Sequence, residues 1–581
     1  MRRGLRLTLI LLVAAAAAMG TGARAGVHAA AARACPTLGG TQLTQDTSKS
    51  TISDGNPIVV CNGSVRTFDG TPLDVDVTLP TIQTATCAAP QTSCPPPLIM
   101  FLSGWSNDIC QFESSSLEGD AVPGCSDFVG THANGYHWNN AWAASNGMVA
   151  LTYTPRGWYE SCGKVASTGY SYASDSRCSD TPGEQSWVHL YDRRYEIHDA
   201  QYLAGLIVDA GLVDPKKIVT TGDSGGGGPS WDLALSQDQV ATTDSTWTPT
   251  AKHIVTVPWT SPARGVAMHL AAALPMYTWT DLVDALLPNG TSSDGFNGAP
   301  PDGAHGYQQS PAGVEKLSYV AGLFALGVGD IPGQPDRGAQ YAAPNQDPTA
   351  DLVKWFGEIG AGEPAFSGNP DAQNILDQVG GPLRSSIAMP VPHGAAETPI
   401  FVIQGLTDPL FPATQALTMI NRLKNASEGG DPNYPVYAFL GDIGHSYANN
   451  PSDVWQQAHN EGDAWLSEVL GGRTITQPPL TLDTTRCVSG QTLQTYAGAG
   501  PAAIATSTLT FKDAAGETLV HTPVSPPTAT YEGSQTDPIA HGGCRSMSAS
   551  QSDPLRRSRI AVAHRNRRTC SGSARRTSSI R

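Results

Sequence analysis

The sequence predicts an α/β fold built on a mainly parallel sheet, and two observations carry that prediction. Short, almost wholly apolar runs recur at Leu98 to Leu102, Met148 to Tyr153, Ile218 to Thr221, Pro399 to Ile403 and Val436 to Leu440. That is the composition of strands buried on both faces. Helical stretches alternate with them, the clearest running from Glu196 to Val208 with Ile197, Ala200, Leu203, Ala204 and Ile207 on one face. Strands alternating with helices run parallel.

The elements follow in order. Residues 1–25 read as a secretory signal: an Arg-rich start, an apolar run from Leu7 to Met19, then Ala23-Arg24-Ala25. A first core segment is expected over 26–260. It opens with alternating apolar and polar residues from Phe68 to Pro80 around Asp69-Gly70, the pattern of a two-stranded antiparallel unit. Between 261 and 395 the regularity weakens, with helical pieces at Thr280 to Leu287 and Pro311 to Gly327 separated by Gly/Pro/Asp/Asn-rich stretches. This predicts an inserted helical cap. A second core segment spans 396–475. Runs such as Ser507 to Lys512 and Leu519 to Thr522 predict a small β-rich region over 476–550. The basic tail, 551–581, has no apolar periodicity and is expected to be disordered.

Eleven cysteines fit an oxidising, extracellular destination. Local spacing pairs Cys87 with Cys94, Cys110 with Cys125 and Cys162 with Cys178; Cys35 with Cys61 and Cys487 with Cys544 would leave Cys570 over. The sequence has no Cys-x-x-Cys pair and no His cluster beside these cysteines, so no metal site is expected. The net charge of −16 includes nine arginines after Asp553 and four before Gly26, so the stretch between them stands at −29. Such a body repels nucleic-acid phosphates and anionic membranes, and no nucleic-acid partner or membrane span is expected.

The sharpest chemical signal is Gly222-Asp223-Ser224-Gly225-Gly226, which follows an apolar strand and precedes the helix-like Trp231 to Leu235. Glycines flanking a serine on a strand-to-helix turn relieve the crowding that such a turn creates and leave the hydroxyl exposed at the sheet's carboxyl edge. The Gly225 N–H then lies where a developing oxyanion can be held. The same letters surround the nucleophile of chymotrypsin-like proteases. There the histidine precedes the serine in an Ala-Ala-His-Cys setting, which this sequence lacks.

The α/β-hydrolase order is Ser, then Asp or Glu, then His, each at the end of a later strand. Asp408 follows the strand at Pro399 to Ile403, and His445 follows the strand at Val436 to Leu440. Asp442 is the competing acid, but three residues before His445 on the same loop it is poorly placed for the far ring nitrogen. The loop Ser103-Gly104-Trp105 after an earlier strand offers the Trp105 N–H as a second oxyanion donor. Taken together, the residues imply a serine hydrolase that needs no cofactor or metal: Ser224 as nucleophile, His445 as base and Asp408 as its orienting acid. The alternative from another class is a catalytically inactive, secreted binding protein on the same fold. A dead copy is expected to have lost a member of the triad, and all three are present.

The sequence resembles the Xaa-Pro dipeptidyl-peptidase-like and cocaine-esterase-like α/β-hydrolases over roughly residues 60 to 470. The resemblance rests on Asp69-Gly70 and the strand ending at Pro80, on Arg156 to Gly163, on Glu196 and Asp199, and on the three triad segments. It implies a helical cap between core strands, a C-terminal jelly-roll-like region, and a small ester or peptide as substrate. Many relatives place a tyrosine in the first oxyanion loop where this sequence has Gly104-Trp105. Residues 476–550 are also short for a jelly roll.

Overall fold

The computed structural model describes residues 34–504 apart from 82–93, 123–124, 126–135, 179–184, 248–252, 289–314, 330–336, 361–369, 446–447, 449 and 486–491. Its centre is an eleven-stranded sheet. In chain order the strands are β1 (Thr44–Asp46), β2 (Ile58–Arg66), β3 (Pro72–Pro80), β4 (Leu98–Leu102), β5 (Val149–Tyr153), β6 (Ile218–Asp223), β7 (Leu270–Met276), β8 (Ile400–Gly405), β9 (Val436–Gly441), β10 (Leu480–Asp483) and β11 (Thr495–Gly498). They lie in the order β11-β10-β9-β8-β7-β6-β4-β5-β3-β2-β1. Strands β5, β4, β6, β7, β8, β9 and β10 are mutually parallel, and β3, β2, β1 and β11 extend the edges antiparallel. This is the α/β-hydrolase topology.

Side-chain alternation along the strands divides the core between two faces. Leu98, Met100, Ile400 and Val402 pack on one face with helices α2 (Glu196–Asp209), α3 (Gly227–Leu235) and α8 (Thr414–Lys424). Ile99, Phe101, Phe401 and Ile403 pack on the other with α1 (Asn140–Ser145) and α9 (Ser452–Leu470). In α2 the expected apolar face, Ile197, Ala200, Leu203, Ala204 and Ile207, is buried throughout. Each of its larger aliphatic side chains contributes about 1.5–3 kcal/mol.

One expectation is corrected. Strand β7 lies inside the stretch read from the sequence as cap, and it pairs with β6 and β8 in the middle of the sheet. Its run Leu270-Ala271-Ala272-Ala273-Leu274-Pro275-Met276 is rich in alanine and holds a proline, residues with weak strand preference, so tertiary pairing overrides the local signal. The helices α4 (Leu282–Leu286), α5 (Leu317–Val328), α6 (Leu352–Gly360) and α7 (Pro370–Gly380) follow β7. With Trp158, Tyr159 and Phe411 they form a third apolar cluster. Within the stretch expected to be β-rich, β10 runs parallel to β9 and β11 pairs antiparallel with β10, so both join the central sheet. The runs at 507–512 and 519–522 lie outside the described residues.

Three of the residues behind the family resemblance, Asp69, Arg156 and Asp199, form one buried ionic cluster. Arg156 donates to Asp199 at 2.6 and 2.7 Å and to Asp69 at 2.8 and 3.3 Å. The cluster ties the β2–β3 turn, the loop after β5 and the start of α2 together. Removing one partner of such a buried pair costs about 3–5 kcal/mol. Disulfides join Cys35 to Cys61, Cys110 to Cys125 and Cys162 to Cys178. Cys94 is also disulfide-bonded, while Cys87, Cys487 and Cys544 lie outside the described residues. Among the described residues no helix is long and apolar enough to cross a membrane.

Candidate active site

The sharp turn from β6 into α3 carries Ser224 in the left-handed region, at φ 48°. The turn is tight because Gly226 is pressed against the Leu102 carbonyl of β4, where a Cβ would overlap it. The Thr278 hydroxyl holds the Ser224 carbonyl at 2.6 Å. Backbone strain of this kind persists only where the surroundings over-determine it.

Two loops at the same sheet edge reach Ser224. Asp408, on the loop after β8, is buried, and its Oδ1 accepts the N–H groups of Leu410 at 2.8 Å and Phe411 at 2.9 Å. Its Oδ2 lies 2.7 Å from His445 Nδ1, and His445 Nε2 lies 2.7 Å from Ser224 Oγ. The structure thus brings together the three residues singled out from the sequence, in one unbroken hydrogen-bonded chain. The loop carrying His445 is braced by Asn450, which accepts the Gly444 N–H at 2.8 Å and donates back to the Gly444 carbonyl at 2.9 Å. Tyr277 and Phe411 stand edge-on to the imidazole, with ring centres 5.2 and 5.0 Å away. Asp442, the competing acid, accepts the Thr407 hydroxyl at 2.5 Å.

The two residues expected to supply the oxyanion donors are close neighbours. A Cβ placed on Gly225 would lie 2.6 Å from the Trp105 main-chain nitrogen and would overlap the Tyr191 hydroxyl. Sequence reasoning missed Tyr191. It sits on an irregular loop with Leu190, both at positive φ of 57° and 59°. Glu196 fixes that loop by accepting the N–H groups of His189 at 2.6 Å and Asp192 at 3.0 Å. Burial pushes the Glu196 carboxyl up to about 7, against the N–H bonds that favour its charge. Burial also raises the Tyr191 hydroxyl well above its usual range, so it stays protonated; it donates to the Ser103 carbonyl at 3.2 Å.

Immediately before Ser224 lies a second unforeseen group. Asp223 is buried and accepts the Tyr277 hydroxyl and the Gln111 amide. Burial raises its carboxyl, opposed by the Tyr277 hydrogen bond. Its position inside the glycine motif was visible from the sequence; nothing in the sequence marks Gln111 or Tyr277 as its partners, 112 and 54 residues away.

No family model matches the chain, and no curated protein matches it. Several solved structures align with it. One is a puromycin-hydrolysing peptidase of Mycobacterium tuberculosis (14% identity, TM-score 0.35, covering 73% of this chain and 40% of that one). Another is the Pyrococcus horikoshii acylaminoacyl peptidase (13%, TM-score 0.35, 72% and 42%). A third is a truncated carbohydrate esterase from gut microbiota (13%, TM-score 0.33, 73% and 99%). The chain spans about 40% of the length of the two peptidases.

Proposed function

We propose that this chain is a secreted serine hydrolase that cleaves an ester or amide bond through an acyl-enzyme on Ser224. The observation that carries the reading is the chain Asp408–His445–Ser224, with both hydrogen bonds at 2.7 Å. His445 takes the hydroxyl proton as Ser224 Oγ attacks the substrate carbonyl carbon. It returns that proton to the leaving alcohol or amine as the bond to the acyl carbon breaks. A water molecule, deprotonated by the same imidazole, then attacks the acyl carbon and frees Ser224. Asp408 holds the imidazole in the tautomer that carries its proton on Nδ1, and two main-chain N–H groups keep the carboxylate itself in place. The N–H groups of Gly225 and Trp105 are the donors assigned to the developing oxyanion, an assignment supported by their close approach across the glycine. The disulfides Cys35–Cys61, Cys110–Cys125 and Cys162–Cys178, with the disulfide-bonded Cys94, support an extracellular destination.

The test is a fluorophosphonate probe on the purified, folded protein. Stoichiometric labelling of Ser224, abolished in Ser224→Ala, is expected. Failure of the wild-type protein to react would overturn the reading in favour of a binding protein.

A further inference from the structure

The cavity that opens at Ser224 is walled by carbon. It measures about 1010 Å³, counting the space out to solvent at its mouth, and it extends beneath the helices that follow β7. Helix α4 supplies Leu282 and Leu286, α5 Leu323, α6 Trp355 and Phe356, and α7 Ile375. Among the described residues, no charged side chain lines it. The polar atoms on several lining side chains are already spent on the main chain. The Trp105 indole N–H donates to the Leu323 carbonyl at 2.8 Å, the Trp279 indole N–H to Arg384 at 3.0 Å, and the Tyr191 hydroxyl to Ser103 at 3.2 Å. Away from the reacting atoms the wall therefore recognises shape and hydrocarbon, with little to hold a charge.

We infer that this chamber receives the acyl part of the substrate, and that the substrate is an ester of a medium- or long-chain hydrocarbon acid. The inference rests on the hydrolase reading above and names its substrate class. Against the wall formed by the described residues, a dipeptide with a free ammonium group would have to leave that charge unpaired, which is strongly unfavourable. A hydrocarbon chain gains with every methylene that leaves water. The gain is about fourfold in kcat/KM per methylene, equivalent to about 0.8 kcal/mol at 1.36 kcal/mol per tenfold.

The experiment uses the whole secreted protein and a series of p-nitrophenyl esters, acetate, butyrate, octanoate and dodecanoate, beside Ala-Pro p-nitroanilide. kcat/KM is expected to climb steeply from acetate to octanoate, with the anilide far below octanoate. Equal or better turnover of acetate, or preference for the anilide, would overturn the substrate class. Val379→Trp, which adds bulk to the α7 wall, is expected to lower the octanoate-to-acetate ratio by roughly tenfold. An unchanged ratio in the folded variant would mean that the chain lies elsewhere, and the wild-type series decides the matter even if this variant does not fold. Labelling of Ser224 by the fluorophosphonate without any chain-length preference removes this inference and leaves the hydrolase reading standing. Absence of labelling removes both.

Discussion

Gln111 donates its side-chain amide to both carboxylate oxygens of Asp223, at 2.7 and 2.8 Å, and accepts the Gly104 N–H at 2.6 Å. One side chain thus couples the residue before the nucleophile to the loop that presents the Trp105 nitrogen. The same carboxylate receives the Tyr277 hydroxyl, and the Tyr277 ring abuts His445. The residue before Ser224, the ring packed on His445 and the Gly104-Trp105 loop are therefore referred to a single buried anchor.

Gln111→Glu should break that anchor, because the new carboxylate cannot donate to Asp223 and sets a like charge beside it. We expect kcat on a p-nitrophenyl ester to fall by about 10–100-fold, since misplacement near 1 Å costs on that order. Fluorophosphonate labelling should slow in parallel while circular dichroism stays native. Unchanged labelling would mean that the loop holds its geometry without Gln111.

Asp408→Asn should be severe and Asp442→Asn mild, because Asp408 bonds His445 Nδ1 whereas Asp442 bonds Thr407. A loss of about 10⁴-fold in kcat is the order expected for the first. The double variant Ser224→Ala, His445→Ala should be scarcely worse than either single one, since the members act as a unit. The opposite ranking of the two aspartates would require the triad to be redrawn.

Gly225→Ala should abolish turnover and also lower stability. Its methyl would overlap the Tyr191 hydroxyl and crowd the Trp105 nitrogen at 2.6 Å, so either the loops part or the turn opens. Overpacking of this kind costs about 1–3 kcal/mol. Thermal denaturation alongside ester kinetics is the check, and near-normal activity would contradict the close packing described.

His459 gives stability a pH dependence. Burial holds its pKa down to about 3 in the folded protein, against 6.5 when unperturbed. Between those values the unfolded chain binds the proton and the folded one does not, so stability rises with pH and is lost as pH falls from about 6.5 towards 3. The slope from this one group reaches at most about 1.4 kcal/mol per pH unit. Urea denaturation of wild type and His459→Gln from pH 4 to 7 should show a flatter dependence in the variant; parallel curves would refute the assignment.

Removing the Cys110–Cys125 bridge, which closes a 15-residue separation beside Gln111, should cost about 3 kcal/mol. Cys110→Ser, Cys125→Ser should lower Tm and also slow ester turnover, because the loop that carries Gln111 loses its tether. A drop in Tm with no kinetic effect would confine the bridge to a structural role.

The inner parallel strands β4, β5, β6, β8 and β9 could be read from the sequence, because strands buried on both faces are continuously apolar, as Leu98 to Leu102 and Val436 to Leu440 are. The order Ser224, Asp408, His445 was legible for a related reason: each residue follows such a strand directly, and a parallel sheet delivers the ends of its strands to one edge. Strand β7 was not legible, since its alanines and proline carry no strand signal until β6 and β8 flank them. Nor was the setting of the site. Gln111 comes from a single 3-10 turn, Tyr191 from an irregular loop and Tyr277 from the residue just after β7, and they meet Asp223 and Gly225 only through long-range packing. The sequence alone determined which groups do the proposed chemistry, because that depends on residue type and on position relative to strands. Tertiary structure alone decided how those groups are braced and what kind of chamber they face, because both depend on side chains brought together from distant parts of the chain.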